Sequence, residues 1–118
     1  MDNKDKFLPI GTVVRLKGGK REIMITSYCI VPNGDIYDKT GKIENPKQQM
    51  FDYGACFYPE GMLVTDQTFA FNHDQIEQIS FMGYETDKQH ELSDTLITGA
   101  EKIKKELENL NMQQESQI

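Results

Sequence analysis

Two short constellations hold residue types that catalysis uses. His73 is followed by Asp74, an imidazole beside a carboxylate, and Cys56 precedes them, so that a thiol and a base occur within one stretch. Such pairs act as acid and base, or as nucleophile and activating base, only when the fold brings the side chains within hydrogen-bond reach. A plainer account exists for each. Asn72 is a good N-cap with Gln75 three residues on, where a capping-box partner stands, so helix initiation explains His73 and Asp74. Cys56 lies among strand-forming aromatics and reads as core. Glu60, between Pro59 and Gly61, is a carboxylate at a turn, and His90 has no companion at metal-ligand spacing. Phosphate loop, dinucleotide fingerprint and serine nucleophile elbow are all missing from the sequence. These residues predict a protein that is not an enzyme and carries no metal or cofactor. The alternative is a small hydrolase or ligand-binding domain whose pocket uses the aromatic stretch with Asn72 and His73.

Charge narrows the partners. The formal charge is −6 over 118 residues, which repels a phosphate backbone unless a basic patch is segregated from the rest. Arg15, Lys17, Lys20 and Arg21 form a local basic group, and they flank Gly18-Gly19, as residues of a solvated hairpin tip do. No nucleic acid is therefore expected. Residues 1–6 are polar and precede no apolar signal region, and no apolar run approaches the length that spans a bilayer. The expectation is a cytoplasmic protein without membrane insertion, its two cysteines, Cys29 and Cys56, buried and reduced.

The elements that must position these residues follow from pattern. The densest apolar patch is Phe51–Gly61, with Phe51, Tyr53, Phe57 and Tyr58 around Gly54 and with Pro59 and Gly61 behind, as in a buried strand leaving through a tight turn. Before it, Phe7–Gly11 is an extended approach fixed by Pro9 and Gly11. Thr12–Leu16 and Glu22–Val31 then read as a hairpin whose turn uses Gly18 and Gly19, residues able to take positive φ. Residues 32–49 carry turn and loop signals, with Ile36 and Tyr37 as a short edge strand at most. Met62–Gln67 is a loop, Thr68–Phe71 a strand, and Ile79–Tyr84 the last strand. The prediction is an α+β fold: a strongly twisted antiparallel sheet of about five or six strands over residues 7–84, curled towards a small barrel. A flexible segment, 1–6, precedes it.

From about Lys88 to Met112 there is no proline, and Leu92, Leu96, Ile103, Leu107 and Leu110 fall at spacings of four, seven, four and three. That is one face of a long helix, placed at 85–112, with Gly99-Ala100 at the position where a small residue permits close approach. An isolated helix of this length is marginal in water, so the stripe buries itself against something. The sheet of this chain is one choice. The other sends the distal half, with Ile103, Leu107, Leu110 and Met112, to a partner helix while Leu92 and Leu96 brace the domain. Residues 113–118 read as a disordered tail.

Several of these motifs occur together in one family. Leu8-Pro9-Ile10-Gly11-Thr12-Val13-Val14 with Leu16-Lys17-Gly18-Gly19, Asp52-Tyr53 with Tyr58-Pro59-Glu60-Gly61, Phe71-Asn72-His73 with Ile76, and Phe81 with Gly83-Tyr84 resemble a family of small bacterial proteins classed as a domain of unknown function. Its members are typically encoded in type VII secretion loci of Gram-positive bacteria beside LXG-domain toxins. The resemblance implies a cytoplasmic chaperone or targeting factor whose partner is an LXG toxin, its small helical WXG-like companion, or both. It brings no catalytic residue, and it leaves Pro9, Gly11, Gly18, Gly19, Tyr53, Tyr58, Pro59, Glu60, Gly61, Asn72 and His73 as structural motif positions.

Overall fold

The computed structural model describes residues 6–31, 40, 49–63 and 69–116, with side chains as far as Asn109. Five strands form one sheet: β1 (Val13–Leu16), β2 (Glu22–Ile30), β3 (Phe51–Phe57), β4 (Phe69–Phe71) and β5 (Ile76–Phe81). Their order is β4-β3-β2-β1-β5, and every neighbouring pair is antiparallel. Because β4 and β5 lie at opposite edges and do not pair, the sheet is open and no barrel forms. One helix, α1 (Asp87–Ser116), follows. Its first turn is closed by Thr86, whose Oγ1 accepts the Gln89 N–H at 3.1 Å.

The β1–β2 hairpin forms as its sequence dictates, with a difference in the turn. Gly18 takes φ 76°, which a side chain disfavours, whereas Gly19 keeps an ordinary φ and approaches Leu16 closely: a Cβ there would stand 3.2 Å from the Leu16 carbonyl oxygen. The last strand starts and stops earlier than the pattern suggests. His73–Gln75 is a single 3-10 turn, after which Ile76 leaves extended and pairs at once with Leu16. The strand ends at Phe81.

Cross-strand register places the core on one side. Val14 faces Ile23, Ile25 faces Ala55, and Tyr53 faces Phe71, and all six belong to one buried cluster. Phe7 and Leu8 enter the same cluster, and α1 contributes Ala100 and Leu107, with Leu96, Ile97 and Ile103 packed against it. Of the small pair at the stripe's middle, Ala100 makes the close approach and is 3% exposed, while Gly99 faces open space.

Of the two readings of the α1 stripe, packing on this chain's own sheet holds at Ile103 and Leu107, while Leu92, expected to brace the domain, stands out. Leu107 is 5% exposed and sits in this chain's own core, whereas Leu92 is 47% exposed. Residues 6–8 run between helix and sheet, bent at Phe7, whose φ is 62°, where the sequence pattern suggests an extended approach. Ser93 Oγ donates to the Lys6 carbonyl at 2.7 Å, and Gln89 Nε2 to that of Phe7 at 3.2 Å. Helical structure continues through Ser116, past the end expected at Met112. Side chains from Leu110 on, Met112 among them, lie outside the described residues, as do 32–39, 41–48 and the 64–67 part of the second loop.

Candidate functional site

Tyr53 and Asp52, neighbours on β3, organise a polar cluster from the two sides of their strand. The Tyr53 hydroxyl accepts the backbone N–H groups of Phe7 at 2.8 Å and Leu8 at 3.1 Å, which fills its acceptor capacity. It stands 2.8 Å from His73 Nδ1, so its own proton points there and Nδ1 accepts. That count assigns the ring proton to Nε2. Burial pushes the Tyr53 phenol far up from its ordinary value, against the two backbone donors, so it does not ionise under ordinary conditions.

Asp52 is 3% exposed. Its Oδ2 accepts the His73 backbone N–H at 2.9 Å, and its Oδ1 meets Lys104 Nζ at 2.8 Å and Lys6 Nζ at 3.2 Å. Burial by itself raises the Asp52 carboxyl, but the His73 N–H and the two ammonium groups outweigh it and hold the group below the usual carboxylate value. Asn72 adds a further tie, its Oδ1 accepting the Asp52 N–H at 3.1 Å while its own N–H donates to Gln75 Oε1 at 2.8 Å. A polar recess of about 170 Å³ lies over this group, lined by Lys6, Asp52, Asn72, His73, Asp74 and Lys104.

Chemically this is a clasp. A carboxylate kept ionised by two ammonium groups does not take up a proton near neutrality, and a phenol with both lone pairs engaged is not a nucleophile. The cluster joins four pieces of chain: the 6–8 segment, β3, the 3-10 turn and α1. His73 is turned to Tyr53 through Nδ1, Asp74 beside it is exposed, and Cys56 lies buried on β3 opposite Met24. Cys29 is half-buried and, like Cys56, a free thiol. Among the described residues no group of three or more His, Cys, Asp or Glu side chains converges on a metal position.

The motif positions fall into two sets. Pro9, Tyr53 and His73 are buried, and Gly11 at φ 89° lets its N–H reach the Ile25 carbonyl at 2.9 Å. Tyr58, Pro59 and Glu60 are exposed; Gly61 at φ 73° closes their turn by donating to the Phe57 carbonyl at 2.8 Å, and Glu60 binds the Arg21 guanidinium through both oxygens. Tyr58, at 47% exposure, is therefore no core aromatic.

A second feature lies beside β5. Gly83 packs so closely on the Ile10 backbone that a Cβ would stand 2.5 Å from the Ile10 carbonyl oxygen, and its N–H donates to Thr12 Oγ1 at 2.9 Å. That approach sets the backbone of Ile10 beside the segment that carries Phe81, Met82 and Tyr84, and all four are exposed, Phe81 to 64% and Tyr84 to 85%. Next to them a cleft of about 290 Å³ opens between Leu8, Pro9, Ile79 and Met82 and the first turns of α1 at Gln89 and His90. Sequence reading gave neither this patch nor the Asp52 clasp. The clasp's only local signal is a carboxylate inside an aromatic strand.

A family model described as a domain of unknown function, DUF4176, matches residues 7–92, the whole sheet and the first turns of α1. No curated protein and no solved structure matches the chain. No helix among the described residues is long and apolar enough to cross a membrane.

Proposed function

We propose, on the premise that the chain belongs to the domain-of-unknown-function family DUF4176, that it is a non-catalytic adaptor or chaperone. Its partner on this reading is an LXG-type toxin, or the toxin's small WXG-like helical companion, which it holds in the cytoplasm for export by a type VII secretion system. The observation that carries the reading is the exposure of four large apolar residues where the edge strand β5 ends: Phe81, Met82 and Tyr84 in the chain itself, and Ile10, whose backbone lies against Gly83. Large apolar side chains clustered on a surface, rather than scattered singly, mark a place where another protein docks. An amphipathic helix offers the matching face, with the cleft at Leu8 and Ile79 to receive an anchoring side chain. Of the distal helix positions, Leu107 is spent in the chain's own core, which moves the proposed contact to the β5 edge. The non-catalytic part rests on Asp52, Asn72 and His73 being engaged within the fold.

Co-expression with the LXG region of a toxin encoded beside the gene, followed by affinity capture, tests this. Exposed aromatics at an interface centre are worth about 2 kcal/mol or more each, so the double variant Phe81→Ser, Tyr84→Ser should retain less than about a tenth of the toxin that the wild type retains. The melting temperature should stay close to wild type. Full capture by the double variant removes the surface from the proposal, and no capture by the wild type removes the toxin.

A further inference from the structure

The sheet face that carries the core continues past the part that α1 covers. Alternation along β2 puts Ile23 on the side of Ile25, and the register sets Ile23 opposite Phe57 as it sets Ile25 opposite Ala55. There the face opens into a cleft of about 410 Å³ walled by Leu16, Ile23, Phe57 and Phe69, with Lys20 and Arg21 on its rim and, among the described residues, none of α1 in its walls. The rings of Phe57 and Phe69 meet edge to face at 4.5 Å, and the Arg21 guanidinium lies over Phe57 at 4.1 Å. Phe69 is 36% exposed.

Charge says what fits. The chain carries −6 overall, yet Lys20 and Arg21, from the local basic group Arg15, Lys17, Lys20 and Arg21, stand at this apolar cleft. Arg21 is engaged by Glu60, whereas Lys17 and Lys20 make no ion pair among the described residues. We infer that the cleft docks an acidic amphipathic helical segment of another protein, its apolar side chains entering between Ile23, Phe57 and Phe69 and its carboxylates meeting Lys17 and Lys20. The walls come from four adjacent strands, β1 to β4. At about 4.8 Å per strand such a cleft is about 14 Å across, close to three turns of a helix laid over the strands. A single acyl chain would need depth rather than breadth. This site sits at the Leu16 end of β1, whereas Phe81 pairs with Val13 at the other end, so it does not rest on the toxin reading.

The probe is a fluorescein-labelled helical peptide of about 18 residues with leucine along one face and glutamate flanking it, compared with a twin carrying lysine for glutamate. Anisotropy with the full chain should show the glutamate peptide binding at least about tenfold tighter than its twin, with the preference shrinking as salt rises. Phe69→Ser and Lys20→Glu, at exposed positions, should each weaken the glutamate peptide about fivefold or more with melting temperature held. Equal binding of the twins, or full binding by both variants, overturns the inference. So does a chain that binds sodium laurate but neither peptide, or one that forms a dimer protecting Phe69 and ignores both.

Discussion

Replacing Tyr53 by Phe deletes one oxygen and leaves the ring, which keeps its stack on Phe71 at 5.1 Å between centroids. The oxygen serves three groups: the N–H of Phe7, the N–H of Leu8 and Nδ1 of His73. Each buried polar group left without a partner costs about 1–3 kcal/mol, and neighbouring losses do not add fully, so the expected loss is about 3–5 kcal/mol. Against a domain stability of about 5–15 kcal/mol that is a large fraction. It corresponds to about 10–20 °C in melting temperature for a chain of this size. Thermal melting by circular dichroism gives the total. Native-state amide exchange gives the location, because Phe7 and Leu8 should lose protection in the variant while the β1–β2 ladder keeps it. A loss below about 1 kcal/mol, with Phe7 and Leu8 still protected, would refute the argument that this hydroxyl fastens the 6–8 segment to the sheet.

The Asp52 clasp predicts a pH dependence. Its folded carboxyl titrates below the ordinary value, so its contribution is complete above about pH 5 and is lost as pH falls through the folded value. Asp52→Asn should therefore cost about 2–3 kcal/mol near neutrality, less than a fully buried pair because Lys104 is partly exposed, and the gap to wild type in melting temperature should close on acidification; a gap constant with pH contradicts the clasp. For α1, Leu107→Ala should cost about 2–5 kcal/mol in urea unfolding, and Leu92→Ala should stay within about 0.5 kcal/mol. Equal losses would mean that the stripe is not oriented as described.

Sequence reading reached the elements whose cause is local. Gly18 marks the hairpin because a side chain disfavours φ near 76°, and Asn72 with Gln75 marks the turn after β4 because their bonds span three residues. The aromatic run at Phe51–Phe57 forms the strand between β2 and β4, as its density of strand-forming side chains indicates. The C-terminal helix followed from its apolar spacing alone, to within a few residues at each end.

Other features depend on contacts between distant parts of the chain. A repeat of 3.6 residues fixes which helical positions share a face but not where along that face a neighbour begins and ends, so the stripe did not reveal that Leu107 is covered and Leu92 is left out. Asp52 and Lys104 are 52 positions apart, and no local rule pairs a strand carboxylate with a helix ammonium across that distance. Phe81, Met82 and Tyr84 continue the pattern of a strand, and only the Gly83 contact with the Ile10 backbone shows that Ile10 lies beside this exposed segment. The sequence by itself determined the antiparallel strands and the helix that follows them, since backbone sterics and side-chain period act within a few residues, whereas the openness of the sheet came from where β4 and β5 fall at its edges. Tertiary structure decided which apolar and charged groups are buried, paired or exposed, because burial is a property of what the rest of the chain lays on top.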